Sequence, residues 1–489
     1  MMTQHDHPSS RRVAVIGGGI TGLATAYFLT HDYPGVDVTL LEASDRTGGL
    51  LRSERSGGYL FEHSADNFIT NLPGGVELCR RVGLADELLQ TDERHRRAFV
   101  VRRGRLFPVP AGFTLMTPAR LLPMVTSPLL SPLGKLRLLR EPLIPPRTDP
   151  GDESLASFVT RRLGREAFDR LVQPLIAGIY TADPERLSMQ AALPRFVAME
   201  REHGSLLRAA RHAARQSHNG DASSGARYSM FVVPRAGIEA LPAAVAAALP
   251  PGCVQTAAPA PAGPPCRRLA GLCRRRADAP TLRCRGARRV GHRRRRPDAA
   301  ARRHAGRPAR GHPLRRCGDR VVRVARDQIA HPLDGFGFVV PEVERRPILA
   351  ASFTSVKFTD RAPADARWCV FLGGACHPEY LDYDEDRLRE IAWQQLGELL
   401  GVSGAPRDHR VTVWHHAMPQ YHVGHVKRVA RINERLATHS GLALAGNAYT
   451  GVGIPQCIES ARAAALSAAT GTRSPSASDR DLGDGTTKP

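Results

Sequence analysis

The chain begins with a short polar lead, residues 1–10, and turns apolar at Val13-Ala14-Val15-Ile16. That run ends in Gly17-Gly18-Gly19-Ile20-Thr21-Gly22. An apolar, alanine-rich stretch follows, and a second apolar run at residues 36–41 closes on Glu42. Strand, glycine turn, helix, strand and acid, in that order, are the parts of a dinucleotide-binding βαβ unit. Farther on the period changes. Leu155, Phe158, Val159 and Leu163 recur on one helical face behind Asp152-Glu153-Ser154, which reads as a cap. The stretch before it, residues 108–150, is punctuated by prolines. Residues 335–340, 348–353 and 368–372 read as strands between charged, turn-like segments. Residues 442–447 form a small-residue strand, and Gly451-Val452-Gly453-Ile454-Pro455 then opens a helix over 456–470.

The chemistry of the first unit follows from its residue types. Gly17 allows the tight turn, Gly19 lets backbone approach a pyrophosphate, and Gly22 lets the helix pack closely on the sheet. The pyrophosphate sits on free N–H groups at the helix start, and Glu42 takes the ribose hydroxyls. A carboxylate there disfavours a 2′-phosphate, and so disfavours NADP. After Glu42, Ala43-Ser44-Asp45-Arg46-Thr47-Gly48-Gly49 is similar to the extended fingerprint of amine-oxidase-type flavoproteins, which favours FAD over NAD. At residues 451–455 a helix start offers N–H groups and a positive dipole end to a flavin's pyrimidine edge.

A chain of 489 residues has room for two or three domains. Residues 1–10 contain no apolar signal region, and the most apolar stretch, 121–130, carries Pro123 and Pro128 and soon meets Lys135 and Arg137. The expectation is a cytoplasmic protein without a membrane span. The 9 Cys show no C-x-x-C spacing, so neither a metal site nor a disulfide framework is expected, and Cys79, Cys369, Cys376 and Cys457 read as inert thiols.

The net charge of +22 would suggest an anionic partner, but its distribution argues otherwise. Residues 267–323 hold 21 Arg, 3 Asp and no Lys, which is most of the excess. Residues 256–322 also contain Cys266, Cys273, Cys284 and Cys317, no Phe, Tyr, Trp or Ile, and neither helix nor strand periodicity. A basic arm usually mixes Lys with Arg and interleaves aromatics. Arg, Ala, Gly, Pro and Cys together are what GC-rich codons yield out of frame, so the segment reads as the product of two compensating frameshifts. The competing reading is a nucleic-acid-binding insert.

Several stretches together resemble one family: residues 17–22 and 42–49, Asp66-Asn67-Phe68, Gly178-Ile179-Tyr180 through Leu187-Ser188, and Glu202-His203-Gly204-Ser205-Leu206. To these are added Trp414-His415-His416-Ala417-Met418-Pro419-Gln420-Tyr421-His422-Val423-Gly424-His425 and residues 451–455. This pattern resembles the bacterial protoporphyrinogen/coproporphyrinogen oxidases, FAD enzymes of haem synthesis, and most of all their Gram-positive coproporphyrinogen branch. The resemblance implies an α/β fold: an amine-oxidase-type FAD-binding domain with Rossmann-like character, a helical inserted domain and a mixed-sheet substrate domain. The expected layout places FAD binding in 1–85, 218–255 and 405–473, the helical insert in 86–217, the substrate sheet in 323–404, the anomalous segment in 256–322 and a disordered tail in 474–489. The implied cofactor residues are Gly17, Gly18, Gly19, Ile20, Thr21, Gly22, Glu42, Ala43, Gly48, Gly49, Ser64, Ala65, Asp66, Asn67, Trp414, Val452, Gly453 and Ile454. Arg97 is the implied clamp for a substrate carboxylate, with Lys357 and His425 as weaker candidates. The implied reaction is hydride transfer from a meso carbon of a porphyrinogen to flavin N5, repeated over three two-electron rounds with O2 as acceptor. It needs no side-chain nucleophile and no metal. Ferrochelatase is a partner by pathway. Copro- and protoporphyrinogen remain alternatives, as do another flavin amine oxidase or desaturase and a basic nucleic-acid-binding protein on a vestigial fold.

Overall fold

The computed structural model describes residues 11–216, 231–258, 271–274, 314–358, 366–439 and 441–471. The strand Arg11–Ile16 lies parallel to Val36–Leu41, with Val13 opposite Val38 and Ile16 opposite Leu41. The helix Ile20–Asp32 connects them and is buried nearly all round, from Ile20 to Leu29. Its small faces let it pack tightly on the C-terminal helix Ile454–Thr470. Ala24 and Ala26 on one side, and Ala461 and Ala465 on the other, are fully buried. The sheet order is Val254–Gln255, Val36–Leu41, Arg11–Ile16, Gly271–Arg274, Leu442–Leu444. Gly271–Arg274 runs antiparallel to both neighbours, so Leu442–Leu444 points the same way as the first strand.

A second sheet has seven strands in the order Asp408–Pro419, Leu314–Val324, Ala366–Gly373, Ile348–Ser352, Gly337–Val339, Phe99–Arg102, Arg105–Pro108. Its apolar face, including Phe338, Phe353, Trp368 and Val370, is covered by the helix Glu385–Leu400 through Leu388, Leu396 and Leu400. A helical region packs on the seven-stranded sheet, with Val100 in its core. Leu155–Leu163 is capped by Ser154, whose hydroxyl accepts the Ser157 N–H at 3.2 Å, and it turns Leu155, Phe158, Val159 and Leu163 inward as their spacing predicts.

The layout departs from the expectation in three places. Asp408–Pro419, expected within the FAD-binding domain, pairs with Leu314–Val324 in the seven-stranded sheet. Phe99–Arg102 and Arg105–Pro108, expected inside the helical insert, extend the other edge of that sheet. Residues 256–322, where no strand periodicity is legible in the sequence, supply Gly271–Arg274 and most of Leu314–Val324. Ladder pairing is made by backbone groups, so alternation of side chains is not required where a strand lies between two others. The rest of that segment and the 474–489 tail lie outside the described residues, apart from residues 256–258.

Candidate functional site

The glycine turn is shaped by close approaches. Gly17 N–H donates to the Leu41 carbonyl at 2.8 Å and φ at Gly17 is +100°, a region that favours glycine. A Cβ at Gly22 would overlap the Gly17 carbonyl oxygen, whereas one at Gly19 would project into open space. Helix Ile20–Asp32 therefore sits hard against the turn, with Gly19 as an N-cap whose side chain offers no acceptor. Its first N–H groups have no side-chain cap and the space beside Gly19 is open, the arrangement that accepts a phosphate. Gly48 N–H reaches the Gly18 carbonyl at 2.8 Å, and Gly49 lies against Gly19, so the second glycine pair packs on the same turn.

Glu42 stands beside it. One carboxylate oxygen accepts the Gly18 N–H at 2.5 Å, and the other accepts the Ser44 N–H at 2.8 Å and hydroxyl at 2.7 Å. Burial opposes the charge, but these hydrogen bonds outweigh it and hold the carboxyl below its usual range. An anion fixed here suits ribose hydroxyls. Ala43 follows it in the loop leaving the strand Val36–Leu41.

The other expected residues converge from three directions. Ser64 donates its hydroxyl to the Leu50 carbonyl at 2.7 Å, and Ala65 packs on the cofactor-sheet core. Asp66 accepts from the Asn67 amide, from Ser352 Oγ at 3.3 Å and from Lys357 Nζ at 3.4 Å. Trp414 Nε1 donates to the His63 carbonyl at 2.6 Å, which ties the strand Asp408–Pro419 to this loop. Thr21, near the start of the first helix, approaches Gly446 and hydrogen-bonds Cys457, so the starts of the two central helices are adjacent. Gly453 is the N-cap of Ile454–Thr470, again without a side-chain cap, and Val452 packs on the helical core. Two uncapped helix starts, the open space at Gly19 and a fixed carboxylate form a donor and acceptor set whose chemistry fits FAD.

Arg97 lies farther out, half exposed. Its Nε donates to the Asp334 carbonyl at 2.5 Å and its Nη2 pairs with the Asp334 carboxylate. Lys357 Nζ stands over the rings of Phe231 and Phe358. His425 is buried, with Nε2 donating to the Tyr449 carbonyl at 2.9 Å. Two further residues have no individual role in the sequence: His63, which lies between Thr412 Oγ1 at 2.7 Å and Glu54 at 3.1 Å, and Tyr421, a member of the 414–425 motif, stacked on His425. Neither residue lies on a periodic face that would have marked it. Among the described residues no cluster suited to a metal occurs, and no helix is long and apolar enough to cross a membrane.

Residues 20–260 and 321–467 match the family described as flavin containing amine oxidoreductase, and the Arg-rich segment falls between the two matched stretches. Coproporphyrinogen III oxidase of Propionibacterium freudenreichii is 32% identical over 486 residues, covering 92% of this chain and 89% of that protein. Coproporphyrinogen III oxidase of Bacillus subtilis is 28% identical over 481 residues, covering 94% and 98%. A crystal structure from Exiguobacterium, provisionally described as a protoporphyrinogen oxidase, superposes with a TM-score of 0.75 at 25% identity, covering 95% of this chain and all of that one.

Proposed function

Because the chain belongs to the flavin containing amine oxidoreductase family, we propose that it oxidises coproporphyrinogen III to coproporphyrin III with O2 as acceptor. The observation that carries this reading is the match to coproporphyrinogen III oxidases along nearly the full length of both chains. FAD, when bound, supplies the hydride acceptor and passes the electrons to O2. The protein's part is binding and orientation. Gly18, Gly19 and Gly22 set the first helix start on the pyrophosphate, Glu42 holds the ribose, and residues 452–454 present the second helix start to the flavin. Arg97, released from Asp334, takes a propionate of the substrate. The reaction belongs in the cytoplasm, and its product suits hand-over to a ferrochelatase.

A second reading, the same chemistry on protoporphyrinogen IX, is favoured by the Exiguobacterium structure. The two differ in substrate carboxylates, four against two. The experiment is to purify the protein and record its spectrum, expecting flavin bands near ~370 and ~450 nm. Initial rates with each porphyrinogen are then compared, with H2O2 measured alongside. Faster coproporphyrinogen turnover, with KM raised about tenfold in Arg97→Ala at unchanged FAD content, supports the first reading. Faster protoporphyrinogen turnover favours the second, and a yellow protein inert to both overturns each.

A further inference from the structure

The turn at residues 447–453 leads into the helix start at Gly453. Gly446 N–H is fixed by Ser460 Oγ at 3.0 Å, and Tyr449 N–H reaches the Gly446 carbonyl at 3.2 Å. Two carbonyls of the turn are also held from residues 420–425. The Tyr421 hydroxyl donates to the Asn447 carbonyl at 2.5 Å, and His425 Nε2 donates to the Tyr449 carbonyl at 2.9 Å. The two rings stack at 4.1 Å and 24°, both almost wholly buried, so each fixes the other's orientation. A carbonyl can only accept, so Nε2 carries the proton. Burial pushes His425 down, which keeps the ring neutral, and pushes the Tyr421 hydroxyl up, which keeps it a donor.

The far side of this loop is anchored as firmly. The Tyr421 carbonyl accepts the Ser188 N–H at 2.7 Å, Val423 N–H reaches the Arg186 carbonyl at 2.8 Å, and Gly424 N–H reaches Asp152 Oδ2 at 2.9 Å. The same Asp152 oxygen accepts Ser188 Oγ at 2.7 Å. Tyr421 thus spans from the helical region to the turn before the second helix start.

We propose that Tyr421 and His425 are positioning residues for the flavin: by holding the Asn447 and Tyr449 carbonyls they set where the N–H groups of residues 452–454 meet its pyrimidine edge. This rests on the flavin reading above and not on the identity of the porphyrinogen. A loosened turn presents those dipoles less closely to a ring that is more electron-rich when reduced, so affinity falls and the midpoint potential moves negative.

The test uses the full chain with FAD and no porphyrinogen. Tyr421→Phe removes one oxygen and keeps the stack, His425→Leu removes the donor, and His425→Gln restores an N–H at similar reach. Tyr421→Phe and His425→Leu are expected to raise the Kd for FAD about tenfold each and to move the flavin midpoint potential negative, with His425→Gln recovering most of both. If Tyr421→Phe and His425→Leu bind FAD with wild-type affinity and potential, even at a lowered melting temperature, the pair is only structural and the proposal fails. A wild-type protein that binds no flavin overturns the flavin reading itself, a result distinct from variants that match the wild type.

Discussion

Two glycines three residues apart, Gly19 and Gly22, separate fold from cofactor. A methyl group at Gly22 would overlap the Gly17 carbonyl oxygen and lie 3.0 Å from its carbon, with Val15 Cγ1 at 3.5 Å. To bring that oxygen to ordinary contact near ~3.5 Å, the start of helix Ile20–Asp32 must retreat by roughly 1 Å or more. It cannot do so freely, since Leu23, Ala24, Ala26 and Phe28 are fully buried against the sheet and the C-terminal helix. Overpacking of this kind costs about 1–3 kcal/mol. At about 2–4 °C per kcal/mol for a large domain, the melting temperature of the apoprotein should fall by several degrees. The retreat also carries the N–H groups away from the pyrophosphate. Loss of one or two charge-assisted hydrogen bonds, about 1.5–3 kcal/mol each, raises the Kd for FAD at least tenfold. Gly19→Ala is the contrast. Its φ is −70° and nothing lies within 4 Å of the added carbon, so apoprotein stability should hold while the methyl group fills the space the pyrophosphate needs. Differential scanning fluorimetry without flavin, with fluorescence titration of FAD, separates the two. Gly22→Ala with wild-type melting and affinity, or Gly19→Ala with wild-type affinity, would refute the reasoning.

Other expectations follow from buried charge and from the odd segment. Arg162 and Glu141 are both fully buried and ion-paired, and Glu141 also accepts the N–H groups of Leu206 and Leu207 at 2.9 and 3.2 Å, capping the helix Leu206–Gln216. Arg162→Met strands that carboxylate and should cost about 3–5 kcal/mol in urea unfolding; a loss under about 1 kcal/mol would mean the site rehydrates. His377, hydrogen-bonded to Glu342 and also to Glu379, has its pKa pushed up to about 9 despite partial burial. A folded-state value raised above ~6.5 gives a contribution complete below that pH and lost as pH rises through about 9. His377→Gln should therefore melt lower than wild type near pH 6 and equally at pH 10, and a constant difference across that range would exclude the linkage. The genomic stretch encoding 256–322, translated in its other two frames, should give an ordinary strand-rich sequence in one of them. If neither frame does, and heparin retention falls with salt and disappears when residues 267–323 are deleted, a nucleic-acid-binding insert is the better account.

The sequence alone determined the nucleotide-binding unit, because each of its demands is local. Gly17 needs a positive φ, Gly22 needs a missing side chain, and Glu42 must end the second strand; each is met within residues 11–42. Amphipathic spacing likewise placed Leu155–Leu163 and its Ser154 cap, and the small-residue run with its glycine turn placed Ile454–Thr470 to within two residues of its start. What the sequence did not determine is which strands share a sheet. Phe99–Arg102 joins Gly337–Val339, and Asp408–Pro419 joins Leu314–Val324, through backbone groups that carry no residue code across a separation of many tens of residues. The same holds for the partners of charged groups. Arg97 is the implied clamp for a substrate carboxylate, and only the tertiary structure sets Asp334 against it. Tyr421 and His425 read as members of a motif, and only the fold shows that their donors end on Asn447 and Tyr449, because hydrogen bonds between distant segments depend on how the elements pack and not on their order along the chain.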